Sequence, residues 1–332
     1  MSLDRVAAAL EERLPGVVAR EVSVADLTTY RLGGPVAVVV RVTDERALAE
    51  VATAFEAHGH SVPVLVVGRG SNLLVADDGF AGVALVLEGA FEQVELDPDG
   101  GTVRAGGGVA LPVLARRTAG VGLTGLEFYV GIPGSVGGAV RMNAGGHGRE
   151  TREVIRRAWV LDLRAGEHAK VAPRDVATLE LGYRSSALAP SEVVTRAEFA
   201  VARDLPEECE ARIAEIVRWR REHQPGGSNA GSVFRNPPGD SAGRLIDVTG
   251  CKGLRVGAAV VSLKHANFFQ AEPGATATDV HALVGEVQAR VAAATGVRLV
   301  PELRMVGFPD DDLRDHGAGS EGTEGAALED PP

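Results

Sequence analysis

Cysteine is nearly absent. Cys209 and Cys251 are the only two in 332 residues and form no C-x-x-C pair, which excludes a disulfide framework and a cysteine-ligated zinc site and fits a reducing compartment. The histidines are scattered without an H-E-x-x-H pair, so no catalytic metal is expected. Aromatic residues make up 4% of the chain against 45% hydrophobic residues overall, so any core is built from Val, Leu and Ala. No apolar run approaches the ~20 residues of a membrane span. Asp4 and Arg5 stand where a signal peptide needs apolar residues. A basic excess is also lacking: the formal net charge of −11 argues against a nucleic-acid or anionic-membrane partner. Much of that charge is local. From Pro309 onward eight acidic residues face one arginine, Arg314, a net −7, and the rest of the chain carries −4. These absences describe a soluble, cytoplasmic protein of ordinary globular composition.

Glycine is what the chain has in surplus, at 42 residues. Glycine is costly in chain entropy and is kept where turns are tight or backbone must approach something closely. Between the glycine-rich segments the pattern alternates irregularly. Asp4–Leu14 reads as a short amphipathic helix, Val36–Val42 as a buried strand, and Asp44–His58 as a helix capped by Asp44. Val62–Val67 is a second buried strand. Strands resume near Arg157–Leu163 and Val193–Val201. Glu207–His223 reads as a charged bridging helix, and Asp279–Thr295 as an amphipathic one with Thr278 as its cap. With no regular βαβ period and no internal repeat, the class is α+β.

Five segments carry candidate chemistry. Gly68-Arg69-Gly70-Ser71-Asn72 follows a strand but leads into the apolar Leu73-Leu74-Val75, so it is neither a Rossmann fingerprint nor a P-loop. Its N–H groups suit a nest for phosphate oxygens, the ordinary alternative being a plain tight turn. A second island runs from Gly131-Ile132-Pro133-Gly134 through Gly138 to Asn143 and Gly145. It holds few charges and builds no core; two such islands suit a large cofactor with a pyrophosphate. Tyr183-Arg184, the Ser232 turn of Ala230-Gly231-Ser232-Val233-Phe234, and Pro301-Glu302 supply a cation, a hydroxyl and a carboxyl. Taken singly, each has a bland reading as surface arginine, turn hydroxyl or solvated glutamate. Arg218, Arg220 and Arg221 form either the solvated face of the bridging helix or a grip on phosphate.

Together, in order and spacing, these segments resemble the UDP-N-acetylenolpyruvoylglucosamine reductase (UDP-N-acetylmuramate dehydrogenase) family of peptidoglycan synthesis. The resemblance runs from about Thr28 to Gly307. It includes Thr29–Gly34, Met142–Gly145, Gly243–Asp247 and His265-Ala266-Asn267-Phe268. No insertion separates Ser186 from Ser232, which resembles the shorter subclass without an added tyrosine loop. Departures are Cys251, Phe269-Gln270, and Arg235 where lysine is common.

The resemblance implies an FAD-binding domain of the vanillyl-alcohol-oxidase (PCMH) type, made of two subdomains, with a smaller α+β substrate-binding domain. Its expected limits are a lead-in at 1–27, the FAD domain at 28–205 with an internal boundary near 80–90, the substrate domain with its bridging helix at 206–308, and a disordered acidic tail at 309–332. It implies FAD as cofactor, NADPH as co-substrate, a sugar-nucleotide substrate and a monomer. Arg184, Ser232 and Glu302 match the family's catalytic residues. Gly68, Arg69, Gly70, Ser71, Asn72, Gly131, Ile132, Pro133, Gly134, Gly138, Asn143 and Gly145 are the expected cofactor contacts; Tyr183, Arg221 and Asn236 are the expected substrate contacts. In the implied reaction, reducing equivalents from NADPH reach the methylene carbon of an enol ether through FAD. Arg184 stabilises charge at the substrate carboxylate and Ser232 supplies the proton. Glu302 either polarises the developing enol, if protonated, or orients the arginine, if ionised. The residues alone also admit a flavin oxidase of hydroxy compounds on the same fold, or a non-catalytic flavin or nucleotide binder.

Overall fold

The computed structural model describes residues 2–59 and 61–309. The acidic tail expected to be disordered lies, apart from Pro309, outside the described residues. Three sheets organise the rest. The first has four strands in the order Val18–Ser23, Pro35–Val42, Phe80–Leu87, Val64–Val67. The last three run parallel, and Val18–Ser23 is antiparallel at the edge. Helices Ser2–Arg13 and Glu45–His58 bury Leu10, Leu48, Val51 and Phe55 against Val38, Val40 and Leu85 on one face. Val36, Val39, Leu65 and Val67 form a separate core on the other. Burial on both faces is why this segment reads as a continuous β-branched run rather than an alternation. Asp44 caps the second helix as expected, its Oδ1 accepting the Ala47 N–H at 2.8 Å.

The second sheet is antiparallel, in the order Ala172–Asp175, Ile155–Asp162, Glu192–Ala200, Thr102–Gly106, Val94–Asp97. Its inner face, with Val103, Ala105, Ala158, Val160, Ala197 and Phe199, packs on helix Leu111–Ala119. The helix Pro206–His223 buries Cys209 and Ile213 in this same core, so its apolar face belongs by packing to the second sheet.

The third unit wraps the small sheet Arg255–Val256, Ala259–Val261, Phe269–Ala271 with helices Ala242–Val248 and Ala277–Thr295. Val280, Leu283, Val284, Val287 and Val291 form the buried stripe, as the sequence pattern predicts. The cap differs from expectation. Thr276, not Thr278, is the N-cap, in a reciprocal capping box with Asp279. Thr278 instead donates its N–H and hydroxyl to Asp77, at 2.8 and 2.6 Å. A carboxylate from the first unit thus sits on the helix N-terminus, where the macrodipole favours it.

That contact is one of several joining the units. Tyr30 is buried in the third core and its hydroxyl donates to the Phe269 carbonyl at 3.1 Å. Strand Arg304–Val306 returns to pair in parallel with Leu73–Val75. The chain end that carries Glu302 is thereby fastened to the strand leaving the first glycine turn.

Candidate active site

Three separate turns bring the candidate chemistry together. Arg184 sits in a tight turn in which Gly182 and Ser185 exchange backbone hydrogen bonds. Its φ of +54° is left-handed, a region that costs a non-glycine residue about 1 kcal/mol or more. The turn is held from outside. Asn143 is fully buried; its Nδ2 donates to the Gly182 carbonyl at 2.9 Å and to Glu150 at 3.0 Å, and its Oδ1 accepts the Arg152 N–H at 2.9 Å. The side chain of Asn143, an expected cofactor contact, is therefore engaged within the protein, where it anchors the arginine turn. The Arg184 guanidinium lies over the Tyr183 ring, 5.1 Å from its centroid, and donates to the Gly145 carbonyl at 3.4 Å.

The serine turn is held by Asn267. Its side chain accepts the Phe234 N–H at 2.9 Å and donates to the Phe234 carbonyl at 2.8 Å, while its own carbonyl accepts the Val233 N–H at 2.8 Å. Gly231, with φ +74°, makes the bend just before Ser232. Ser232 Oγ makes no hydrogen bond to another described residue. Glu302 is tied to this turn through its own N–H, which donates to the Val233 carbonyl at 2.8 Å. Asn72 takes its other side, donating Nδ2 to the Glu302 carbonyl at 3.0 Å. Asn72 thus joins the first glycine turn to the glutamate.

Tyr183, Arg184, Ser232, Phe234, Asn236, Gly243, His265, Asn267 and Glu302 line one cavity of about 90 Å³. Arg184 Nε stands 2.9 Å from Glu302 Oε1. This is an ion pair without hydrogen-bond alignment, since the buried Nε–H is aimed at no acceptor. Burial pushes the Glu302 carboxyl above the ordinary glutamate range, against the opposing pull of Arg184 and then Arg235. Burial likewise raises Tyr183, whose hydroxyl accepts the Asn236 N–H at 3.2 Å. Of the expected substrate contacts, Tyr183 and Asn236 line the cavity. Arg221 does not: it is exposed near the end of its helix. Its neighbour Arg220 is half-buried close to His147.

Beside the first glycine turn lies an open cleft of about 980 Å³. Gly68 and Arg69 line it, together with Leu27, Thr28, Thr29, Arg31 and Gly108. The N–H groups of Arg69, Gly70 and Ser71 donate to no described residue, whereas the Gly70 carbonyl is held by the Thr29 N–H at 3.2 Å. A volume at the upper end of small-molecule sites, with consecutive open N–H donors, fits a large anionic cofactor. The two glycine islands approach each other at this turn, although of the expected cofactor contacts only Gly68 and Arg69 line the cleft itself. A Cβ on Gly134 would lie 3.7 Å from Ser71 Oγ, and one on Gly68 would lie 2.2 Å from Ser135 Oγ. Gly70 is glycine for an internal reason as well: its φ is +60° and a Cβ would stand 1.9 Å from the Leu27 carbonyl oxygen. Gly131 packs against the His147 ring, and Gly138 donates its N–H to the capping hydroxyl of Ser135. Ile132 is half-buried and Pro133 exposed between them.

Residue-by-residue reading missed Asn267, His265, Arg235 and the Thr28–Arg31 wall of the cleft as site residues. The motifs Thr29–Gly34 and His265–Phe268 were the available signal; a clamping role for Asn267 requires knowing which turn lies opposite it.

Known proteins agree with this architecture. The model of the UDP-N-acetylenolpyruvoylglucosamine reductase C-terminal domain matches residues 223–306, and that of an FAD binding domain matches residues 36–172. The chain is 42% identical over 285 residues to the UDP-N-acetylenolpyruvoylglucosamine reductase of Rubrobacter xylanophilus, covering 85% of this chain and 93% of that one. It is 42% identical over 303 residues to that of Acidiphilium cryptum, covering 91% and 95%. The crystal structure of UDP-N-acetylenolpyruvylglucosamine reductase from Thermus caldophilus superposes with a TM-score of 0.73 at 37% identity, covering 87% of this chain and 98% of that one. An FAD-binding PCMH-type domain is thus joined to a dedicated C-terminal domain, and the chain belongs to the UDP-N-acetylenolpyruvoylglucosamine reductase family of FAD-dependent oxidoreductases.

Proposed function

We propose that this enzyme reduces the enolpyruvyl ether of UDP-N-acetylglucosamine to UDP-N-acetylmuramate, with NADPH as reductant, as a monomer in the cytoplasm. The observation that carries this reading is the convergence of Arg184, Ser232 and Glu302, from three segments far apart in the sequence, on one polar cavity tied by Asn72 to the glycine turn of the cofactor cleft. Among the described residues no helix is long and apolar enough to cross a membrane.

FAD, when bound in the cleft, supplies the redox chemistry. Gly68–Asn72 and Gly131–Gly134 are the segments that would hold it, the open N–H groups of the first being suited to phosphate oxygens. The chain's own residues then handle charge and proton. Negative charge accumulates beside the substrate carboxylate as the double bond is reduced. Arg184, whose Nε–H is buried and unaligned with any acceptor, is the preorganised cation for it. The neutral form of Glu302, favoured by burial, donates toward the developing enol; the ionised form holds Arg184. Ser232 delivers the proton to carbon. Asn236 and Tyr183 shape the cavity wall on the substrate side.

The test is the absorbance of the purified protein. Flavin bands that bleach on adding NADPH and return on adding the enolpyruvyl sugar nucleotide without oxygen support the reading. Bleaching that only oxygen reverses assigns the protein to another flavin reaction, and no bleaching to a binding role.

A further inference from the structure

A serine hydroxyl is a weak acid, and Ser232 Oγ bonds to no other described residue, so a proton given to carbon has to be returned to it. His265 lines the same cavity as Ser232 and has no part in the chemistry described so far. One residue fixes both. Asn267 clamps the serine turn with its side chain and carbonyl, and its own N–H donates to His265 Nδ1 at 3.3 Å. The backbone agrees: Ser232 bridges Phe268, whose N–H donates to the His265 carbonyl at 3.0 Å. The imidazole is held on its other sides as well. Its ring lies at 64° to the Phe268 ring, 4.7 Å between centroids, and its Cε1 edge lies against Gly243, where a Cβ would stand 3.5 Å away. Gly243 is itself part of the cavity wall.

The hydrogen bond to Nδ1 settles the tautomer. A ring nitrogen that accepts an N–H carries no proton, so the neutral ring carries its proton on Nε2 and is a donor there. Nε2 lies on the far side of Cε1 from Nδ1. The cavity, at about 90 Å³, has the volume of about three waters, so one water spans from its wall to Ser232. We propose that His265 is a positioning residue for Ser232: its Nε2–H holds the water that donates to Ser232 Oγ. With Oγ accepting from that water, the serine O–H is turned toward the substrate. The electron pair of the enolate carbon takes the serine proton, forming C–H as O–H breaks. Oγ takes a proton from the water, and the hydroxide left behind accepts the Nε2–H hydrogen bond until solvent reprotonates it. The imidazole keeps its own proton throughout.

The inference rests on Ser232 as the proton donor, so its test is a double-mutant cycle in the holoenzyme. His265→Asn keeps an acceptor for the Asn267 N–H but is too short to reach the water; His265→Gln carries an amide N–H about as far out as Nε2. Each protein is fully reduced with NADPH, and the limiting rate of flavin reoxidation is read at saturating enolpyruvyl substrate without oxygen. His265→Asn should slow that rate about 10- to 100-fold, the worth of a hydrogen bond to a charged group, and His265→Gln should recover most of it. Added to Ser232→Ala, His265→Asn should change the rate less than about threefold, because no serine is left to serve. Equal slowing in both backgrounds, or a rise in KM with an unchanged limiting rate, overturns the proposal and makes His265 a substrate contact. Equal slowing by Asn and Gln overturns it in favour of packing. These outcomes leave the role of Ser232 standing. If Ser232→Ala alone reoxidises at the wild-type rate, it is the reading of Ser232 that falls, and the inference with it.

Discussion

Replacing Ser232 with Ala should separate the two halves of the reaction. The turn that carries Ser232 is fixed by hydrogen bonds that do not involve its side chain. These are the three contacts with Asn267 at 2.8 to 2.9 Å, and the Gly231 N–H to Asn229 Oδ1 at 3.0 Å. Oγ itself bonds to no other described residue. Removing it leaves no buried partner unsatisfied, and stability should change by no more than about 0.5 kcal/mol. Flavin content and reduction by NADPH should stay at wild-type levels, because neither the cleft nor its glycine turns contain Ser232. The second half should slow by about two to four orders of magnitude, the usual contribution of a positioned acid, or about 3 to 5 kcal/mol on that barrier. Stopped-flow absorbance at the flavin band, with NADPH and then with the enolpyruvyl substrate, measures each half separately. Normal reoxidation in the variant would show that Ser232 is not the proton donor. Equal slowing of both halves would refute the structural argument that the turn stands without its hydroxyl.

Four further outcomes follow from particular residues. Gly134→Ala places its methyl group 3.5 Å from Leu111, an ordinary contact, so the flavin-free protein should keep its melting temperature while flavin occupancy falls; a fully yellow variant would show that the cofactor does not approach this turn. Gly70→Ala should instead lower the melting temperature of the flavin-free protein, because φ +60° and the Leu27 carbonyl both oppose a Cβ. Burial holds the folded-state pKa of Glu302 above its unfolded value, so its contribution is full below the ordinary glutamate range and is lost as pH rises through the raised value. Glu302→Gln should therefore stabilise the flavin-free protein at neutral pH and lose that advantage in acid; thermal melts at pH 4 and 7 that show no such difference would count against the raised pKa. Truncation after Phe308 removes eight acidic residues and one arginine, shifting the formal charge from −11 to −4. It keeps strand Arg304–Val306 and the stack of Phe308 on His281, so turnover and flavin content should not change; a large rise in KM would assign the tail to the substrate site.

The sequence by itself determined whatever depends on neighbours in the chain. Asp44 followed by an apolar period gave a helix with that residue as its cap, and the β-branched run at Val36–Val42 gave a strand, because caps and periodicity act over a few residues. The ordered set of short motifs pointed to the family, and with it to FAD and a carbon–carbon double bond. Even locally the limit is visible. Thr278 looked like a cap, but the helix starts two residues earlier and Asp77, some 200 positions away, takes Thr278.

What only the tertiary structure decided is which distant backbone pairs with which. The parallel pairing of Arg304–Val306 with Leu73–Val75, and the bond from Asn72 to the Glu302 carbonyl, place the glutamate at the seam between the two glycine-bearing units and the C-terminal one. No periodicity encodes such a contact, because its free energy comes from burial and hydrogen bonds formed only after both partners have folded. The same holds for Asn143, which reads in sequence as one more polar residue in a glycine island and is in fact the anchor of the Arg184 turn.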